Sequence, residues 1–196
     1  MKYFLSRLRG AGVLAAVEDE SRIVEGLRRG ERAAFEAAYA RFRPRVYGFL
    51  WRLARDPEVA MDLVQETFTS LARSATRLSP DTKLAAWLFT VARNAWISHR
   101  RWSMLDVSRL ALRADDLALP SSARGPDDSV DAARERARVE RAIAALPEPQ
   151  REVLLLVAVE GMSHEEASGV LGISVENARQ RLSRARAALA EKTRKP

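Results

Sequence analysis

The stretch SHEEASGVLGISVENARQRL, residues 163–182, predicts two short helices joined by a tight turn. Ser163 can cap the first helix, and Glu166 stands three residues later, which is the spacing of a capping box. The run from Leu171 to Ser174 supplies a glycine-containing turn, and Ser174 can cap the second helix. Two short helices joined by such a turn form a helix-turn-helix.

The second of these helices has two distinct faces. Its apolar residues recur at spacings of three and four, and they form one stripe that packs inward: Val175, Ala178, Leu182, Ala185 and Leu189. The opposite face carries Glu176, Asn177, Gln180, Ser183, Arg184 and Ala187, and the flanks carry Arg179, Arg181 and Arg186. A helix-turn-helix places its second helix in the major groove of DNA, where amides and guanidinium groups meet base edges and cations meet phosphates. A solvated basic helix is the alternative, and the agreement of turn, caps and face favours DNA binding.

The rest of the chain is also predicted to be helical. Residues 21–102 are rich in alanine, leucine, arginine and glutamate, and they lack the alternating apolar runs that are typical of strands. Pro44 is a candidate for a kink in the second helix. The predicted helices span residues 21–29, 31–53, 57–74 and 81–101, an amphipathic segment from about 131 to 146, and then 149–160, 163–171 and 174–191.

Composition divides the chain into four parts. Residues 1–20 are an N-terminal extension, 21–102 a helical domain, 103–135 a linker, and 136–196 a second helical domain. The linker is acidic and contains prolines, serines and a glycine, a composition typical of a flexible connection, although a local acidic loop within one domain is the alternative. We therefore expect an all-α protein of two small helical domains joined by a flexible acidic linker.

Charge and composition narrow the function further. The 196 residues carry 33 lysines and arginines against 26 aspartates and glutamates, a net charge of +7, and two basic blocks flank the acidic linker. This layout suggests two modules that each meet a polyanion, although arginine-rich solvated surfaces are an equal alternative.

With no cysteine and two distant histidines, we expect no disulfide, no metal site, no cofactor and no enzymatic activity. No stretch approaches the roughly 20 apolar residues that span a bilayer, so we expect a cytoplasmic protein with no membrane insertion.

The predicted helix 57–74 has an acidic outer face within an otherwise basic domain. Asp62, Gln65 and Glu66 face solvent if the apolar residues of this helix face inward. Such a face suits a protein partner with basic or polar side chains better than it suits DNA. A solvated helix surface is the alternative.

The predicted helix 81–101 combines cations with aromatic rings. Arg93 and Arg100 lie two turns apart on one face, and Asn94 and Arg101 repeat that spacing. The nearby tryptophans are Trp87, Trp96 and Trp102. Rings beside cations are typical of surfaces that bind single-stranded nucleic acid, although a tryptophan taken singly is more often a core residue.

Several motifs of both halves resemble one protein family. The motifs DPEVAMDLVQETF (56–68) and AWLFTVARN (86–94) resemble region 2 of bacterial sigma factors of the extracytoplasmic-function (ECF) type. The helix-turn-helix with RQRLSRAR (179–186) resembles region 4 of the same factors. The resemblance covers about residues 21–102 and 136–190.

The resemblance implies a stress-responsive subunit that gives RNA polymerase its promoter specificity and has no catalytic activity of its own. Region 2 would bind the clamp helices of the polymerase β′ subunit, and the residues implied for this contact are Asp62, Leu63, Gln65, Glu66 and Phe68. A loop around residues 74–83 would capture a base flipped from the minus-10 element. The residues implied for the opened strand are Lys83, Trp87, Arg93, Asn94, His99, Arg100 and Arg101.

Region 4 would bind the β-flap and read the minus-35 element. The residues implied for the minus-35 contact are Ser174, Glu176, Asn177, Arg179, Gln180, Arg181, Ser183, Arg184 and Arg186. An anti-sigma factor held between the two domains is the further partner that the resemblance implies. The chain departs from the family pattern at Glu176-Asn177-Ala178, which leaves the base preference at minus-35 open. An independent dimeric helix-turn-helix regulator, with the N-terminal domain sensing a ligand or partner, remains the alternative function.

Overall fold

The computed structural model describes residues 13–105 and 130–193. Within those ranges the chain is helical and has no strand, which confirms the all-α prediction. The linker predicted at 103–135 and the extension predicted at 1–20 lie largely outside the described residues. The helices are α1 (Val13–Arg28), α2 (Arg32–Ala54), α3 (Pro57–Ser74), α4 (Leu84–Leu105), α5 (Val130–Ala144), α6 (Glu148–Leu154), α7 (His164–Leu171) and α8 (Val175–Lys192).

Helices α1 to α4 pack around one core in the N-terminal half. The rings of Phe49 and Phe89 meet edge to face at 5.3 Å, and both side chains are fully buried. Gly26 allows α1 to approach α2 closely, because a Cβ at this position would lie 2.6 Å from the Ala34 Cβ. Pro44 stands inside α2, which continues past it to Ala54, so the helix is not split at this position.

The start of α3 follows from its sequence. Asp56 stands in the N-cap position, and its carboxylate accepts hydrogen bonds from the backbone N–H groups of Glu58 and Val59 at 2.9 and 3.1 Å. Pro57 occupies the first turn, where its missing N–H costs nothing. These contacts fix the position at which the acidic face of α3 begins.

In the C-terminal half, α6 continues into a π-helical turn at Leu155–Val159. The N–H of Glu160 donates to the Leu155 carbonyl at 2.9 Å, one residue further than in an α-helix. The sequence predicts a regular helix over 149–160, and no feature of the pattern distinguishes the wider turn. The turn is apolar, and its residues Leu155 to Ala158 are buried in the core.

The two halves lie against each other. Helix α4 packs against α7, and α2 packs against α6, so the buried apolar residues of both halves form one continuous cluster. Sequence patterns predict each half separately and contain no signal for this contact.

Candidate protein and nucleic-acid interfaces

The exposed face of α3 carries carboxylate and amide groups, as predicted. Asp62, Gln65 and Glu66 are exposed, and the inward-facing residues Ala60, Leu63, Val64, Thr67 and Leu71 are all buried. The exposed groups line a shallow depression with three further side chains, Thr69, Ser70 and Arg73. This surface offers hydrogen-bond acceptors and negative charge to a basic or polar protein partner.

Two residues expected in the polymerase contact lie beneath this face. Leu63 and Phe68 are only 4% and 3% exposed. The ring of Phe68 packs edge-on against Tyr39, with 4.8 Å between ring centroids. Their side chains hold α3 on the domain core, so the exposed surface consists of the neighbouring polar residues.

The cations expected to hold a single strand lie on and just before α4. Asn94 and Arg101 are exposed. Three other members of the set are engaged by glutamates of the C-terminal half: Lys83 Nζ by Glu166 Oε1 at 2.8 Å, Arg93 Nε by Glu152 Oε1 at 2.7 Å, and Arg100 Nη1 by Glu148 Oε2 at 2.5 Å.

The tryptophans near α4 do not form the single aromatic surface that the sequence suggests. Trp96 is buried, and the imidazole of His99 stacks on it at 6.1 Å between ring centroids. Trp87 is half-buried against the core. Trp102 is 72% exposed at the end of the helix. Stacking on a base is therefore open to Trp102, whereas Trp96 is a core residue.

The loop predicted to capture a base, around residues 74–83, is held at both ends. It begins with a 3₁₀ turn at Ala75–Arg77, and the guanidinium of Arg28 donates to the carbonyl of Leu78 at 2.9 Å. At its far end, the backbone N–H of Ala85 donates to the carboxylate of Glu20 at 3.0 Å, which satisfies one free donor at the start of α4.

Helix α7 begins with the predicted capping box. The Ser163 hydroxyl accepts from the Glu166 N–H at 3.1 Å, and the Glu166 carboxylate accepts from the Ser163 N–H at 2.9 Å. These two bonds fix the first helix of the helix-turn-helix.

The turn between α7 and α8 also has the predicted geometry. Gly172 ends α7 in the left-handed conformation, with φ 64° and ψ 39°. The N–H of Ile173 donates to the Ser168 carbonyl at 3.1 Å, and the Ser174 hydroxyl accepts from the Asn177 N–H at 3.2 Å. These two bonds join α7 to α8 across the turn of the helix-turn-helix.

The outer face of α8 carries a set of ordered and exposed polar groups. Its predicted apolar stripe is buried at Ala178, Leu182, Ala185 and Leu189 and half-buried at Val175. Ser183, Arg184 and Arg186 are exposed. Three other side chains are oriented by neighbours: Gln180 donates to Glu176 at 3.3 Å, Arg181 donates to Asn177 at 2.9 Å, and Arg179 lies 3.6 Å from Glu165 of α7.

Family models match both halves of the chain. A model described as Sigma-70 region 2 matches residues 38–103, and one described as Sigma-70, region 4 matches residues 136–189. The chain is 40% identical over 164 residues to RNA polymerase sigma factor CarQ of Myxococcus xanthus, covering 82% of this chain and 90% of the relative. The chain belongs to the sigma-70 family.

Further similarities place this sigma factor in the ECF group. It is 32% identical to the ECF RNA polymerase sigma factor EcfG of Rhodopseudomonas palustris (strain TIE-1), covering 74% of this chain and 77% of the relative. It is also similar to the sigma factor RpoE of Bartonella quintana, solved in complex with the anti-sigma factor NepR, with a TM-score of 0.68 and 26% identity. That match covers 81% of this chain and 95% of the solved chain.

Two glutamates of region 4 in this sigma factor have pKa values shifted in opposite directions. Burial raises the pKa of Glu160, and the charge and hydrogen bond of Arg45 oppose this only in part. Burial also acts to raise the pKa of Glu166, but hydrogen bonds from Lys83 and from the Ser163 N–H outweigh it, so the net pKa is lowered. The Glu166 carboxylate is therefore ionised at neutral pH, where it accepts hydrogen bonds from Lys83 of region 2 and from the Ser163 N–H of region 4.

Sequence reasoning missed two groups of residues in the sigma factor. Ser70 and Arg73 continue the outer polar face of α3 beyond its acidic residues, and their spacing of four and seven residues from Glu66 would have identified them. The glutamates that engage the cations of α4 lie far away in the chain, and no local pattern points to them.

The part of the sigma factor that the structure describes contains no helix long and apolar enough to cross a membrane.

Proposed function

We propose that this sigma factor binds core RNA polymerase with the outer face of α3, holds the opened minus-10 strand with α4, and reads the minus-35 element with α8. The observation that supports this most directly is the presence of two differently charged, exposed faces on one chain. The α3 face is acidic and the α8 face is rich in arginine and amides. They occur in the order of regions 2 and 4.

In the polymerase contact, Asp62, Gln65 and Glu66 provide the recognising groups. Their exposure and their position over a buried apolar stripe support this role. We take the clamp helices of the β′ subunit as the partner surface of α3 and the β-flap as that of region 4, following the family.

Opening of the minus-10 element needs no covalent chemistry from the sigma factor. Unstacking a base is unfavourable, and contacts in the loop at residues 74–83 together with neutralised phosphates offset that cost. Asn94, Arg101 and Trp102 support the role of α4, because they offer a polar group, a cation and an exposed ring between the middle and the end of the helix. We therefore propose a subunit without catalytic activity that acts in the cytoplasm, where the polymerase works.

At the minus-35 element, the exposed side chains of α8 divide into two roles. Arg184 lies opposite the buried stripe and is the side chain best situated to reach a base edge, whereas Arg186 lies at the flank and suits a phosphate. Asn177 and Glu176 orient Arg181 and Gln180 along the helix.

We also propose that an anti-sigma factor controls this chain. The proposal is supported by the similarity to the Bartonella quintana sigma factor, which was solved in complex with its anti-sigma factor NepR. Following the family, we expect this partner to be held between the two domains.

The decisive experiment is reconstitution with core RNA polymerase. The sigma factor should co-purify with core enzyme and support run-off transcription from a promoter with minus-35 and minus-10 elements. Binding to palindromic duplex DNA as a dimer, without any polymerase contact, would instead identify an independent helix-turn-helix regulator. Occupied promoter sequences, mapped with the reconstituted holoenzyme, would then give the base preference of α8.

A further inference from the structure

Five ion pairs between described residues of the two domains have the same polarity. In each of the five, the cation comes from the region 2 half and the carboxylate from the region 4 half. The pairs are Arg45 with Glu160, Arg52 with Glu140, Lys83 with Glu166, Arg93 with Glu152, and Arg100 with Glu148. The contact is therefore between a cationic surface and an acidic one.

Three of these cations belong to the surface that the proposed function assigns to the minus-10 strand. They are Lys83, Arg93 and Arg100, and each lies within 2.8 Å of a glutamate oxygen. A carboxylate meets a guanidinium in the same way as a phosphate does, so one group excludes the other.

The DNA phosphates are excluded most strongly from Arg93, because this ion pair is buried. The side chain of Arg93 is 18% exposed, and that of its partner Glu152 is 4% exposed. Helix α7 covers the neighbouring part of α4. A strand cannot reach Arg93 while the domains stay in contact, whereas Arg101 and Trp102 remain accessible at the end of α4.

The remaining pairs strengthen the contact without belonging to the strand-binding surface. Arg52 donates to both carboxylate oxygens of Glu140, at 2.6 and 3.1 Å. Arg151 of region 4 donates to the backbone carbonyl of Arg52 at 3.2 Å. These bonds are shielded from water, so they favour one fixed arrangement of the domains.

We propose that the acidic surface of region 4, formed by Glu148, Glu152 and Glu166, occupies the strand-binding surface of region 2 in the free sigma factor. In the free chain minus-10 DNA has no access to Lys83, Arg93 and Arg100, and the domains must separate before these three cations can hold a strand. This inference rests on the proposed role of α4. It adds that region 4 competes with the DNA strand inside the same molecule.

The test uses the full chain, without polymerase, and a short fluorescent single-stranded DNA oligonucleotide of minus-10 sequence. In Glu148→Gln/Glu152→Gln, two carboxylates that compete with the strand become neutral amides. The fraction of molecules with an open strand-binding surface rises, so the strand should bind about tenfold more tightly. The matched control is Glu25→Gln/Glu36→Gln, which removes the same two charges from exposed pairs within the region 2 half. It should change strand affinity less than about twofold.

Separation of the domains is measured independently of DNA. The chain contains no cysteine, so single cysteines introduced at the exposed positions Ala72 and Ala190 can carry spin labels. The wild-type chain should give a single distance between the labels, and Glu148→Gln/Glu152→Gln should add a population of longer distances. If the double variant fails to fold, Glu148→Gln alone, at the more exposed pair, should shift both measurements in the same direction.

The outcomes distinguish the occlusion of the strand-binding surface from the proposed role of α4. Equal strand affinity in wild type and double variant, with measurable binding in both, would overturn the occlusion and leave the role of α4 intact. Longer distances in the variant without strand binding would overturn both the occlusion of DNA and the proposed role of α4. Tighter strand binding together with longer distances supports the inference.

Discussion

Arg45 and Glu160 join the domains at the end of the π-helical turn. The Arg45 Nε donates to the Glu160 carboxylate at 2.8 Å, and its Nη2 donates to the backbone carbonyl of Glu160 at 3.1 Å. The side chain of Glu160 is 6% exposed. One arginine of region 2 therefore binds both the charge and the backbone at the end of a region 4 helix.

This geometry predicts a specific pH dependence of stability. Burial raises the pKa of Glu160 above its ordinary value of 4.5, while Arg45 and Arg52 only partly oppose this. The folded state therefore holds a proton on this group over a pH range in which the unfolded state has lost it. The contribution to stability is complete below pH 4.5 and is lost as the pH rises through the raised pKa.

The variant Glu160→Gln removes that titration and retains an acceptor for Arg45. We expect the stability of the variant to increase relative to wild type as the pH rises from 4.5 towards neutrality. Urea unfolding at a series of pH values measures the difference. A difference that stays constant with pH would show that Glu160 does not titrate in this range.

Reversal of the charge on the α3 face should strongly weaken polymerase binding. In Asp62→Arg/Glu66→Arg, two exposed carboxylates become cations facing a basic or polar partner surface. Like charges across an interface cost several kcal/mol, so affinity for core polymerase should fall by about a hundredfold or more. Binding of labelled sigma factor to core enzyme measures this.

The control for that experiment is Glu25→Arg/Glu36→Arg. It makes the same change in charge at exposed positions of α1 and α2, and it should leave polymerase affinity within about threefold of wild type. Intact polymerase binding by Asp62→Arg/Glu66→Arg would mean that the α3 face is not the contact surface.

Two arginines of α8 should behave differently in promoter binding by the holoenzyme. Arg184→Ala should reduce affinity by about 1–3 kcal/mol and relax the base preference at one position of the minus-35 element. Arg186→Ala should weaken binding to all sequences about equally and reduce the salt dependence. Affinities for a panel of single-base promoter variants at two salt concentrations distinguish these effects, and an unchanged preference in Arg184→Ala would remove this residue from base recognition.

Two glycines of the helix-turn-helix should respond in opposite directions to alanine. Gly172 has φ +64°, so Gly172→Ala places a side chain in the left-handed region and should destabilise the domain by about 1–2 kcal/mol. Gly169 lies in the middle of α7 with no atom within 4 Å of an added Cβ, so Gly169→Ala should stabilise it by up to about 1 kcal/mol. Thermal unfolding of the two variants tests this, and the same sign for both would contradict the geometry.

Local patterns in the sequence predict most of the helices. The predicted spans 57–74 and 163–171 agree with α3 and α7 to within one residue, because each begins at a cap and ends at a change in backbone geometry. Agreement is poorer at α1, which begins at Val13 instead of residue 21. Alanine and glutamate between these positions favour helix, and the absence of a clear cap hides the start.

In the candidate sites too, some features follow from the local sequence pattern and others depend on packing. The outward position of Asp62 and the inward position of Leu63 follow from helical periodicity alone. The burial of Trp96 does not, because a ring at the edge of an apolar stripe becomes a core residue only when a second element packs over it. Periodicity assigns a side of the helix, and packing decides how much of that side is covered.

By itself the sequence determined the helical class, the helix-turn-helix and the polarity of its faces, since these depend on residues within a few turns of one another. Tertiary structure alone decided which charges meet. Arg93 and Glu152 are 59 residues apart, and their contact results from the packing of the two domains. Coulomb attraction and burial act through space, so a cation that the sequence presents as free for DNA is paired in the folded chain.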